Sequence, residues 1–140
     1  MDAEARSRIM RAIRKTDTKP ELIVRRALHA RGLRFRLHRR DLPGSPDIVM
    51  PRHCKAIFVH GCFWHQHPGC RHATRPRSRQ DYWEPKLDRN VARDARARDA
   101  LAELGWDVLT LWECEVLNPE RLRAALDAFL PEPPHRPSAP

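Results

Sequence analysis

The twelve residues from Val59 to Cys70, VHGCFWHQHPGC, hold three histidines, two cysteines, two glycines and two large aromatics. Thiolate and imidazole are the ligands that zinc takes in tetrahedral geometry, and short spacings let one loop supply several of them. Cys62, His67 and Cys70 stand at the spacing C-x4-H-x2-C. A fourth ligand must come from elsewhere. Cys114, just past the apolar run WDVLTLW, is the candidate, and Cys54, at a hairpin beside Lys55, is the rival. His65 and His67 are two residues apart in this loop, and the two rings are expected to point apart. One can then bind metal while the other faces different chemistry.

Two carboxylates matter near this loop. Asp47 follows Pro46 at the start of an apolar run. Oxygen ligands at a sheet mouth suit a hard cation such as Mg2+, and an ordinary turn aspartate is the competing reading. His65 is the natural proton-transfer group if zinc takes His67. Glu21 reads as the N3 member of a capping box begun by Thr18, and the sequence alone does not lift it to catalysis. Phe63 and Trp64 are adjacent aromatics among the ligands. They could wedge between base steps or pack against the loop, and Met10 on the N-terminal segment poses the same choice.

These groups need elements to hold them. Residues 3–15 read as a short basic helix. TKPE opens a second helix with Thr18 as N-cap and Pro20 in the first turn, carrying Leu22, Ile23, Ala27 and Leu28 and stopping near Gly32. LRFRLHRR alternates as a strand with one wet face. DIVM and AIFV flank PRHCK as a hairpin. Residues 61–79 are irregular, and a helix runs from about Tyr82 to Leu104 with Leu87, Val91, Leu101 and Leu104 inward. Trp106–Trp112 is a buried strand, and Asn118-Pro119 opens a last helix to about Leu130. The order describes an α/β protein: a hairpin meander followed by a βα return. Neither type of Gly-rich phosphate loop is present.

The chain has 140 residues and a formal net charge of +9, which suits one domain. The first 40 residues hold 13 Lys/Arg against 4 Asp/Glu, so the whole excess sits there. Such a patch attracts a polyanion, with nucleic acid the leading partner over a merely Arg-rich composition. No apolar run reaches membrane length and no secretory leader is evident, so a cytoplasmic chain with reduced thiols is expected. The tail PEPPHRPSAP, residues 131–140, has five prolines and reads as disordered.

The segments IMRAIRKTDTKPE, LPGSPDIV, IFVHGCFWHQHPGC, YWEPKLDRNVARD and LGWDVLTLWECE, in this order, resemble the very short patch repair (Vsr-type) mismatch endonucleases from about Arg8 to Leu130. The resemblance implies a restriction-endonuclease-like single domain over residues 1–130, with a central mixed sheet flanked by helices. Residues 1–18 would be its basic DNA-contacting segment. It implies a monomer that nicks one strand beside the thymine of a T·G mismatch left by 5-methylcytosine deamination, with catalytic Mg2+ and one structural Zn2+. The implied partners are double-stranded DNA carrying that mismatch and mismatch-repair proteins; the implied place is the cytoplasm, on the nucleoid.

Residue by residue, Asp47 is similar to the family's Mg2+-binding aspartate, and Val59 stands where a backbone carbonyl binds that metal. His65 resembles the histidine that handles the attacking water, Glu21 the acidic residue near it, and His60 a second active-site histidine. Cys62, His67, Cys70 and Cys114 match the zinc ligands. Met10, Phe63 and Trp64 match the intercalating residues, and Lys86 and Asn90 match positions in contact with the mismatch. HQHPGC has one more residue before its cysteine than the family pattern, and Val59-His60-Gly61 replaces the acid-x-lysine of restriction-type nucleases. Two other functions fit the composition: a non-catalytic zinc DNA-binding module, and a related nuclease of different specificity.

Overall fold

The structure, a computed structural model, describes residues 18–130. The expected helix over residues 3–15, Met10 and the proline-rich tail lie outside them.

Helix α1 spans Lys19–Ala30. Thr18 caps it, its Oγ1 accepting the Glu21 N–H at 3.4 Å, and Gly32 follows the end at φ +75°. Strands β1 (Arg36–Leu37), β2 (Ile48–Met50) and β3 (Lys55–His60) form an antiparallel meander. A single 3-10 turn, Pro51–His53, closes the β2–β3 hairpin, with Cys54 exposed in left-handed conformation behind it. Helix α2 (Gln80–Glu103) then crosses the sheet, and β4 (Asp107–Trp112) returns parallel to β3. A short helix α3 (Glu113–Val116) and helix α4 (Pro119–Phe129) complete the order. Asn118 caps α4, its Oδ1 accepting from Glu120 N and Arg121 N, as the Asn-Pro pair implies. The sheet is therefore mixed, in the order β1-β2-β3-β4.

Strand alternation divides the core in two. Ile48, Met50, Ile57 and Leu111 pack with Val24 and Leu28 of α1 and Leu122 and Leu126 of α4. Phe58 packs on the opposite face with Ala97 and Leu101 of α2. Each such fully buried aliphatic contributes about 1.5–3 kcal/mol.

Some expectations need correction. LRFRLHRR yields only a two-residue strand, because His38 turns left-handed at φ +48°; Leu37 is exposed, while Leu33 and Phe35 do pack on the core. Leu22, Val91 and Leu104 are exposed. Helix α2 is about 36 Å long and β3 about 20 Å, so the helix overhangs the sheet and part of its apolar stripe meets solvent. Strand β4 is half-buried rather than buried, with Leu111 alone of its residues fully covered. The helix α3 was not anticipated. It carries Cys114 back beside the loop.

Candidate active site and metal centre

Asp47 stands at the start of β2, and its Oδ2 accepts the Val59 N–H of β3 at 2.7 Å. Its Oδ1 lies 4.0 Å from His38 Nδ1. Glu21 comes from α1 and is almost fully buried; its Oε2 takes the Arg25 guanidinium at 3.1 Å and lies 3.6 Å from His38 Nε2. Ligand atoms of Glu21, His38 and Asp47 all fall within 4.8 Å of one another. Glu21 thus makes half of the expected capping box: its N–H donates to Thr18 Oγ1, while its carboxylate turns to Arg25, His38 and Asp47 rather than back to the cap. Burial pushes the Asp47 carboxyl up to about 6, and the Glu21 charge adds to this, against the Val59 N–H and the two nearby histidines.

A second group lies between the loop and α2. His65 Nδ1 meets Asp94 Oδ2 at 2.7 Å. Its ring stacks on His60, with centroids 3.8 Å apart and planes 6° from parallel. His60 is buried at the end of β3 and its Nδ1 has no hydrogen-bond partner among the described residues. Burial, then the His65 charge, drives His60 down to about 3, so its ring is neutral. The carboxylate of Asp94 can only accept, so His65 Nδ1 carries a proton and Nε2 is the nitrogen open to other work.

The third group is the cysteine cluster. His67 Nδ1 lies 3.8 Å from Cys62 Sγ and 3.4 Å from Cys114 Sγ. The ligand atoms of Cys62, His67, Cys70 and Cys114 share one 4.8 Å neighbourhood. The chain turns before Cys70: Cys70 N donates to His67 O, with Pro68 second and Gly69 third at φ +71°, the type II pattern. His67 stacks on Trp112 with centroids 4.3 Å apart and joins the cysteines while His65 joins Asp94; the chain between them is turned, with Gln66 at φ +51°. Burial pushes the Cys62 thiol up to about 12, and the His72 N–H holds Cys70 below the ordinary thiol range.

Phe63 and Trp64 are half-buried against Trp83 of α2, at 5.5 and 5.9 Å between centroids. Asn90 Nδ2 donates to the Trp64 carbonyl at 3.0 Å, and Lys86 Nζ sits 5.5 Å from the Trp64 ring. Arg75 ties the loop to the helix, reaching Gln66 at 3.0 Å, Asp88 at 2.7 Å and Glu84. The four residues expected to touch DNA here therefore form one patch.

The family model described as DNA mismatch endonuclease Vsr matches residues 1–71. The type II nicking enzyme V.XorIIP of Xanthomonas oryzae is 51% identical over 93% of this chain and 95% of its own length. The chain belongs to the Vsr family of DNA mismatch endonucleases. The DNA mismatch endonuclease Vsr of Escherichia coli is 43% identical, over 86% of this chain and 77% of that one. The type II nicking enzyme V.NmeAIP of Neisseria meningitidis is 36% identical, over 91% and 90% respectively.

A Vsr nuclease implies a divalent metal, and both donor sets can be tested for fit. Zinc bonds of about 2.3 Å to sulfur and 2.05 Å to nitrogen at a tetrahedral angle put S and N about 3.6 Å apart. The two measured S···N distances, 3.8 and 3.4 Å, bracket that value. Asp47 offers carboxylate oxygen, the donor a hard cation takes, and an ionised Asp47 beside buried Glu21 is favoured by a cation. Both sets fit.

Sequence reasoning missed Asp94, His38, Arg25 and Trp83. Asp94 sits in RNVARDARARD, where nothing local separates it from Asp88 or Asp99. His38 lies in a basic run whose evident reading is a wet strand face.

Proposed function

We propose that this chain hydrolyses one phosphodiester bond beside the thymine of a T·G mismatch in double-stranded DNA, as a Mg2+-dependent nicking enzyme with a structural zinc. The observation that carries the reading is that one short stretch of chain, the end of β3 and the loop after it, serves three sites. Val59 donates to Asp47, His65 engages Asp94, and His67 joins Cys62 and Cys114. A scaffold that only bound DNA would have no use for the first two. The relatives' names, nicking enzyme and mismatch endonuclease, support the same activity.

Asp47 and the Val59 carbonyl would hold the Mg2+, with Glu21 beside them and neutral His60 walling the site. A divalent cation there supplies neutralisation of the charge that develops on the phosphoryl group. His65 takes the proton of the attacking water at Nε2, while Asp94 holds its ring in the required tautomer and stabilises the imidazolium. The new P–O bond forms from that water as one backbone P–O bond breaks, and the departing sugar oxygen takes a proton from solvent. Cys62, His67, Cys70 and Cys114 would close a structural zinc site that stiffens the loop. Phe63 and Trp64, with Met10, wedge into the stack where a mismatch makes unstacking cheap, and Lys86 and Asn90 lie beside them to read it.

Binding and cutting can be separated. In gel-shift and nicking assays on the same T·G duplex, Asp47→Ala should bind and not cut. Equal rates on matched and mismatched duplexes would instead assign a nuclease of other specificity.

A further inference from the structure

The left-handed residue His38 lies between the two acidic residues of the Asp47 group. It has no counterpart in the roles assigned above. Arg25 Nη2 sits 3.2 Å from His38 Nε2. A guanidinium has donors and no acceptor, so Nε2 must be the accepting nitrogen. The nitrogen that donates is then Nδ1. Nδ1 is the atom that lies 4.0 Å from Asp47 Oδ1.

Main-chain geometry ties the same two residues. The His38 N–H donates to the Asp47 carbonyl at 3.1 Å, and φ at His38 is +48°. A non-glycine residue in that conformation persists where its surroundings over-determine it. Asp47 Oδ2 is already fixed by the Val59 N–H at 2.7 Å. With one oxygen fixed, the carboxylate can still swing about its last torsion. A donor on the other oxygen removes that freedom.

We propose that His38 is a positioning residue for Asp47, presenting Nδ1–H to Asp47 Oδ1 in a tautomer that Arg25 fixes. The 4.0 Å separation is longer than a direct hydrogen bond and would be closed by one bridging water. His38 is thereby excluded from the metal's ligands, since one nitrogen carries a proton and the other is engaged by Arg25. Arg25 does double duty, holding Glu21 Oε2 at 3.1 Å. The inference rests on the reading of Asp47 as the ligand of a divalent cation.

The test is Mn2+ binding to zinc-loaded protein, followed by the electron paramagnetic resonance of the free ion, with no DNA present. An asparagine amide hangs from Cγ as Nδ1 does, whereas a glutamine amide lies one atom further out, where Nε2 is. Asparagine also tolerates the left-handed backbone. His38→Asn should keep Mn2+ affinity within about 3-fold, and His38→Gln should lose about 10- to 100-fold, the usual cost of removing a partner of a metal ligand. Circular dichroism and melting temperature verify the fold. Should His38→Gln not fold, Arg25→Met replaces it, with about 10-fold weaker binding expected from the freed tautomer. Wild-type affinity in His38→Gln, or equal loss in His38→Asn and His38→Gln, overturns the proposal. Undiminished binding by Asp47→Ala overturns the metal assignment beneath it, a different failure.

Discussion

His65 Nδ1 and Asp94 Oδ2 are 2.7 Å apart, across 29 residues of chain, and this contact puts a proton on Nδ1, leaving Nε2 for the base role proposed for His65. Without the carboxylate the ring can place its proton on Nε2, where it blocks proton abstraction. Asp94→Asn should therefore cut the single-turnover nicking rate by about 10²- to 10⁴-fold with DNA affinity unchanged. Because Asp94 acts through His65, the double variant Asp94→Asn with His65→Ala should be no slower than His65→Ala alone. Additive losses would show that the two act independently.

Asp47→Asn should lose nicking and gain stability. The Asp47 carboxyl titrates at about 6 in the fold against 3.8 for the ordinary group. A raised folded value means that the metal-free protein keeps this group's stability below the unfolded value and loses it as pH rises through 6. About two units correspond to about 3 kcal/mol at most. Denaturant melts without Mg2+ should show Asp47→Asn more stable at pH 8 and equal at pH 4. His60 works the other way: with its folded value near 3 against 6.5, its contribution is present above 6.5 and lost as pH falls toward 3. The difference between wild type and variant isolates Asp47 from it.

The cysteine cluster should bind one zinc per chain, measured by elemental analysis of the purified protein. Cys114→Ala removes the one cluster residue that comes from outside the loop. It should release the metal, lower the melting temperature and free the aromatic patch. Tryptophan fluorescence would report the last effect through Trp64 and Trp83. A fully folded, zinc-loaded Cys114→Ala protein would contradict the ligand set.

Gly44 sits at φ +74°, and an added Cβ would come 2.5 Å from the Ala97 Cβ of α2. The turn before Asp47 thus leans directly on the helix that carries Asp94. Gly44→Ala should cost about 2–4 kcal/mol in denaturant melts, from the backbone conformation and from overpacking together.

What was legible in the sequence follows from the range of the interactions. Cys62, His65, His67 and Cys70 declared their chemistry because type and spacing are local to one loop. The caps at Thr18 and Asn118 are likewise local signals. Asp94 and His38 became visible only when α2 and the β1–β2 turn were folded against Asp47 and His65. Cys114 was found because the apolar run before it had to return to the sheet. The exposed Val91 and Leu104 were misjudged for a related reason: helical periodicity gives an apolar face, and says nothing of how far the sheet beneath it extends.

The central claim is mismatch-directed, metal-dependent nicking with Asp47 at its centre. The most direct measurement is strand-resolved cleavage of a labelled duplex with one T·G pair in a cytosine-methylation context, beside its T·A twin, with Mg2+ or EDTA. A cut in the thymine strand alone, absent from the T·A duplex, from EDTA and from Asp47→Ala, is the expected result. Equal cutting by Asp47→Ala, or none by folded, zinc-loaded wild type across a panel of flanking sequences, would contradict it.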